Sequence, residues 1–198
     1  YNEEKRIGKT LEEYSNFFDE KGKENKFSYI ILVVINGTTD NTEDVVKNYQ
    51  KKSRNIKYLN FERGGKGFAI TEGFKYSLEN KFDLIGFVDA DLATSPGEFW
   101  KLVQNLENYD GTIADRYIRG AKTIPKFNFR RLIVSRIFNF LVRVMFGLNY
   151  SDTQCGAKIF KREVIGKILG DITITQWSFD VNLLYSCKKK GFKIKSVP

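Results

Sequence analysis

A chain of 198 residues, 41% hydrophobic and 15% aromatic, suits one globular domain with a full core and excludes a disordered segment. With 33 basic against 24 acidic residues its net charge is +9, which favours an anionic partner: nucleic acid, acidic lipid or a phosphorylated small molecule. There is no histidine, so acid–base or metal chemistry must rest on carboxylates, lysine, tyrosine or cysteine; Cys155 and Cys187 make neither a disulfide framework nor a zinc site, and a reducing compartment is the default.

In chain order, "EEKRIGKTLEEYSNFF" places Ile7, Leu11, Tyr14 and Phe18 at helical spacing. "YIILVVI" (29–35) is a β-branched apolar run typical of a strand buried on both faces. The loop "NGTTDNT" follows, with Thr39 or Asp40 able to cap the helix "EDVVKNYQKK". "IKYLNF" (56–61) is the next strand, "ERGGKG" a glycine loop and "FAITEGFKYSLEN" a helix. "FDLIGFVDAD" (82–91) reads as a third strand and "SPGEFWKLVQNLEN" as a helix with Pro96 in its first turn. "GTIADRYI" is a short strand, 129–146 a basic amphipathic helix, and 161–169 and 177–190 are helices. The closing "KIKSVP" reads as a strand just beginning, and the natural protein is expected to extend at both ends.

Strands alternating with helices imply an α/β fold around a single Rossmann-like, mostly parallel sheet, with residues 1–198 as one domain. Ligands of such sheets bind beyond the carboxyl ends of the strands, so the "NGTT", "RGGKG" and "DAD" loops should converge on one edge. Asp89 and Asp91 bracket a single alanine there. Two carboxylates that close raise each other's proton affinity unless a cation sits between them. Mg²⁺ fits, since it typically takes one or two protein carboxylates plus substrate phosphates. By itself the pair reads more readily as an exposed turn with two solvated acids and a helix cap. No apolar run reaches the ~20 residues of a membrane span, and "LIVSRIFNFLVRVMFGL" contains Arg136 and Arg143.

The ordered set "YNEE", "VINGTTDNT", "RGGKG", "DAD", "ADRYIRGAK", "SDTQCGAKIFKRE" and "WSFDVNLLY" resembles the family 2 glycosyltransferases of GT-A fold, and within them the polyprenyl-phosphate branch of dolichyl-phosphate glucosyltransferases and mannose synthases. The resemblance covers nearly the whole chain. It implies a nucleotide-sugar pocket lined by Tyr1, Glu3, Asn36, Lys66, Asp89, Ala90 and Asp91, with Mg²⁺ or Mn²⁺ on Asp89 and Asp91. Asn36 stands where the family often has aspartate. Ala93 stands where the mannose synthases often have glutamine, which leans the donor toward UDP-glucose, with GDP-mannose next.

The same resemblance implies a polyprenyl (dolichyl) phosphate acceptor, met by Arg116, Arg130 and Arg131, and puts Asp180 where many relatives carry a catalytic base. A lipid monophosphate is itself a nucleophile near neutrality, its second pKa lying at about 6, so Asp180 could instead orient an arginine or the sugar. Trp177 could pack on the sugar or on the core, and Cys155 reads as a small packed residue. Phe138, Leu141, Val142 and Met145 beside Arg136 and Arg143 suit either a core helix or one lying on a membrane surface, at the cytoplasmic face. Two other readings stay open: a family 2 enzyme extending a cell-surface or soluble glycan, and a basic nucleic-acid-binding protein, which unpaired carboxylates at the loop edge disfavour.

Overall fold

The computed structural model describes residues 1–121, 129–173 and 178–198, with 129–133 described for their backbone alone. The first helix, α1 (Ile7–Asn25), buries Ile7, Leu11, Tyr14 and Phe18, the stripe its spacing predicts. It runs a further seven residues past Phe18 and stops where Lys26 turns left-handed at φ 55°, its N–H bonded back to the Gly22 carbonyl. β1 (Ile31–Asn36) and β2 (Ile56–Phe61) pair in parallel across α2 (Thr42–Lys52), in register from Ile31 opposite Ile56 to Asn36 opposite Phe61. Ile35, Val46 and Ile56 close this layer against Ile7 and Leu11.

A second sheet of four strands carries β3 (Leu84–Phe87), β5 (Lys158–Lys161), β4 (Gly111–Ala114) and β6 (Ile194–Val197) in that spatial order. β5 runs antiparallel to both β3 and β4, while β4 and β6 are parallel. The α/β class expected from the sequence is what forms, but its strands lie in two hydrogen-bonded sheets and the larger is mixed. The strand that makes it so, β5, follows the long excursion through α5 (Phe129–Phe146) and re-enters between two strands already laid down. The edges of β1 and β3 face a shared apolar cavity of about 750 Å³, lined by residues 31–34 of one and 84–88 of the other.

β3 is shorter than the 82–91 run suggested. Its ladder ends at Phe87 opposite Lys158, and Asp89 and Asp91 fall in the loop before α4 (Pro96–Gln104). There the side chain of Ser95 accepts the Glu98 N–H and Pro96 opens the helix, the start the sequence signals. α3 (Lys66–Glu79), α6 (Arg162–Ile168) and α7 (Phe179–Lys189) cover the larger sheet, burying Phe74, Phe160, Ile165, Ile168, Phe179 and Leu183 together.

Helix α5 turns little of its predicted apolar stripe into the core. Of Phe138, Leu141, Val142 and Met145, only Val142 turns inward. The inward face also holds Asn139, 5% exposed, whose carbonyl accepts the Thr153 N–H and hydroxyl at 3.0 Å each. Val134, Ile137, Phe140, Leu141, Val144 and Met145 face outward. The sequence pattern counts asparagine as a surface residue, yet here a buried partner 14 positions away fixes it inside. Among the described residues no helix is long and apolar enough to cross a membrane.

Close packing in the larger sheet yields a direct test. A Cβ on Gly86 would lie 2.8 Å from the Lys158 carbonyl and 2.8 Å from Phe99 Cζ. Gly86→Ala should therefore lower unfolding stability by about 1–3 kcal/mol, read from denaturant melts.

Candidate active site

The carboxyl ends of β1 and β3 lie on one edge, as hydrogen bonds from the amino-terminal turn show. The Asn2 N–H donates to Thr38 Oγ1 at 3.4 Å and the Glu3 N–H to Thr42 Oγ1 at 2.8 Å. From α1, the Thr10 hydroxyl donates to the Ala90 carbonyl at 2.8 Å. Asp40 knits the same corner, accepting the Glu4 N–H at 3.1 Å through one oxygen and the Thr42 N–H at 3.1 Å through the other. Asn36, nearly buried at the end of β1, donates its amide to the Gly65 carbonyl at 3.2 Å and so ties the glycine loop to this edge. Gly65, at φ 127°, turns the chain into α3, whose first turn has no side-chain cap.

Two cations connect the expected carboxylates. Arg6 holds Glu3 at 2.7 Å and lies 3.9 Å from Asp91 Oδ2. Lys66 lies 3.0 Å from Asp89 Oδ1 and 3.6 Å from Asp180 Oδ2. Burial alone would lower the Lys66 ammonium, but the charges of Asp180 and Asp89 outweigh it and raise its pKa. Glu3, Asn36, Lys66, Asp89, Ala90, Asp91 and Asp180 thus gather at one edge, with Tyr1 exposed beside them.

Behind them sits a residue that sequence reasoning passed over. Lys158, wholly buried on β5, donates to Asp180 Oδ1 and to the Cys155 carbonyl, both at 2.6 Å. Breaking such a pair from one side costs about 3–5 kcal/mol, because it strands a charge in the interior. The four-residue "KIFK" carries no period long enough to announce a strand, and its first lysine reads as a surface residue.

The loop 151–157 brings Cys155 and Gly156 to this cluster. Asp115, 1% exposed, accepts the Ser151 hydroxyl at 2.7 Å and its N–H at 3.2 Å. Asp152, fully buried, takes Arg116 through both oxygens, at 2.5 and 3.1 Å. Desolvation would lower the Arg116 guanidinium, and the bonded Asp152 more than reverses that. Arg116, expected at an acceptor phosphate, is therefore engaged in clamping the loop after β4 to the loop before β5. Arg130 and Arg131 are described only for their backbone, at the start of α5, and Trp177 lies outside the described residues.

Gly156 is where this loop meets the paired aspartates, since a Cβ there would overlap the Asp89 carboxylate. Cys155 and Cys187 are buried, and burial pushes both thiols up, Cys187 to about 12, which makes them packing residues rather than nucleophiles. Asp89 and Asp91 remain 43% and 39% exposed at the side chain, and no group of three or more His, Cys, Asp or Glu stands ready for a metal among the described residues. Two open carboxylates suit a hard divalent cation that takes its remaining ligands from water and phosphate.

Similarity to known proteins places the chain in a family and a fold. The profile of Glycosyl transferase family 2 matches residues 1–169. The chain belongs to that family. It is 33% identical, over its whole length and 62% of the relative's, to a dolichyl-phosphate beta-glucosyltransferase of Dictyostelium discoideum. It is 31% identical to the human protein of that name, over 93% of this chain and 60% of the relative. The chain thus spans about three fifths of these relatives' length. Among solved structures, glucosyl-3-phosphoglycerate synthase from Mycobacterium tuberculosis, with Mn²⁺, UDP and phosphoglyceric acid, superposes with a TM-score of 0.69 at 20% identity over 99% of this chain and 64% of that one. A mannosyltransferase from Pyrobaculum calidifontis, with GDP-Man and Mn²⁺, gives 0.54 at 17% identity over 90% and 50%. These two likenesses carry the GT-A fold.

The contact between Gly156 and Asp89 sets a second test. Gly156→Ala must push the carboxylate aside. With Asp89 as the metal ligand proposed below, that displacement should cost about 10–100-fold in Mn²⁺ affinity, read by calorimetric titration in the presence of UDP.

Proposed function

We propose that this chain is the catalytic domain of an inverting hexosyltransferase that moves glucose from UDP-glucose, with GDP-mannose the next candidate donor, to a dolichyl or other polyprenyl phosphate. The observation that carries the reading is the likeness, over this whole chain and about three fifths of theirs, to dolichyl-phosphate beta-glucosyltransferases, with the matched motifs meeting at the carboxyl ends of the strands. Tyr1, Glu3, Asn36 and Ala90 would line the nucleotide side of that edge. Lys66 and the uncapped start of α3 would receive the diphosphate. Asp89 and Asp91 would hold Mg²⁺ or Mn²⁺, which supplies Lewis-acid neutralisation of the departing diphosphate when bound.

The acceptor phosphate needs little help from a base, being largely dianionic near neutrality with a second pKa of about 6. It attacks the anomeric carbon opposite the leaving diphosphate and yields the β-linked product. Asp180 has both oxygens on lysines, so its part is to position charge rather than to take a proton. Arg130 and Arg131 are proposed to meet the lipid phosphate, from sequence alone. The outward apolar side chains of α5, on a chain of net charge +9, support contact with an anionic membrane surface at the cytoplasmic face.

Three measurements test the reading. In a thermal-shift panel of nucleotide sugars with and without Mn²⁺, UDP-glucose with Mn²⁺ should raise the melting temperature most, since stabilisation follows affinity. Asp91→Asn should abolish that metal-dependent shift, and Asp180→Asn should slow transfer to a polyprenyl phosphate without abolishing it. Complete loss in Asp180→Asn would favour a hydroxyl acceptor that needs a base. In co-sedimentation with phosphatidylserine vesicles, Phe140→Glu with Met145→Glu should cut binding by about tenfold or more while leaving the melting temperature unchanged.

A further inference from the structure

Asp89, Lys66, Asp180 and Lys158 form a line of alternating charge from the open edge into the core, with separations of 3.0, 3.6 and 2.6 Å. Its inner end is fixed. Lys158 is fully buried and also bonded to the Cys155 carbonyl, so Asp180 cannot leave it without stranding a charge. Its outer end is free to change. The Lys66 side chain is 38% exposed, stands on the first residue of α3 and has two carboxylates within reach, the nearer being Asp89.

A divalent cation on Asp89 and the Lys66 ammonium 3.0 Å from the same carboxylate repel each other. Asp180, with one oxygen already 3.6 Å from Lys66, offers the ammonium a second partner, and an incoming diphosphate offers a third. We propose that Lys66 is a displaceable counter-ion on the metal position: it neutralises Asp89 until a nucleoside diphosphate and Asp180 together draw it away, so that cation and nucleotide bind as a coupled pair. The proposal rests on the assignment of Asp89 as a metal ligand and adds to it an order of events. The nucleotide strengthens cation binding partly by removing a competitor, and by linkage the cation strengthens nucleotide binding by the same factor.

The competition makes a prediction of unusual sign. In most sites the loss of a contacting residue weakens binding; here the loss of Lys66 should tighten it. Mn²⁺ uptake by the 198-residue protein is followed by electron paramagnetic resonance, without nucleotide and with saturating UDP. UDP should raise the Mn²⁺ affinity of the wild type. Lys66→Met should bind Mn²⁺ alone at least about fivefold more tightly than wild type, at the low end of ordinary coupling, and UDP should enhance it less. Asp180→Asn, which removes the ammonium's alternative partner, should shift Mn²⁺ affinity the other way. Should Asp180→Asn fail to fold, as its thermal melt would report, Lys66→Met decides alone, its side chain being at the exposed start of a helix. Mn²⁺ affinity unchanged or lowered in Lys66→Met overturns the proposal while leaving the metal assignment standing. No Mn²⁺ uptake by the wild type, with or without UDP, overturns both.

Discussion

The Asp89 carboxylate occupies the space that any side chain at position 156 would need, and the arrangement of the site follows from that contact. It requires two segments distant in sequence to arrive at the same point, one leaving β3 and one entering β5. The second is a loop, and a loop places an atom accurately only if its backbone is held. Here the holding is done by buried polar groups: Asp115 on Ser151, Arg116 on Asp152, Asn139 on Thr153 and Lys158 on the Cys155 carbonyl. Each lies where water competes poorly, so each bond is directional and costly to break. Without these anchors Asp89 would have no fixed wall behind it.

That economy of charge explains why so many ionised groups lie inside a modest domain. Asp152, Asp180, Lys158 and Asp115 are all at most 4% exposed. Buried pairs seldom add net stability over apolar residues of the same size, and their use is more often to specify one arrangement among several. In this chain they specify which loop meets which strand end. An apolar replacement would pack as well and would leave the loop 151–157 several ways to lie.

The sequence discloses what is periodic and conceals what is paired across distance. α1 was readable because Ile7, Leu11, Tyr14 and Phe18 repeat with the helix, and the start of α4 because Ser95 and Pro96 are local signals. The loops at the strand ends were readable because α/β connectivity brings them to one edge. β5 was not, having four residues and a lysine that belongs to the core. The early end of β3 was hidden for the same reason, since its ladder depends on β5. The clamp of Arg116 on Asp152 was hidden because the two lie 36 positions apart. Arg6 gave no signal, as its role depends on Asp91 from another element.

Helix α5 has a thermodynamic consequence beyond its shape. Among its described side chains, those of 134–146, the inward face gives the core Val142 and part of Phe146, and adds the hydrogen bonds that Asn139 accepts from Thr153 and that Tyr117 donates to Ser135. Covering one large apolar side chain gains about 1.5–3 kcal/mol, and α5 keeps several of them on its outer side. Much of the burial free energy available to its described side chains is therefore held in reserve on the solvent side. Any surface that accepts those side chains becomes a term in the stability of the whole chain, and through Asn139 and Thr153 that term reaches the loop behind Asp89.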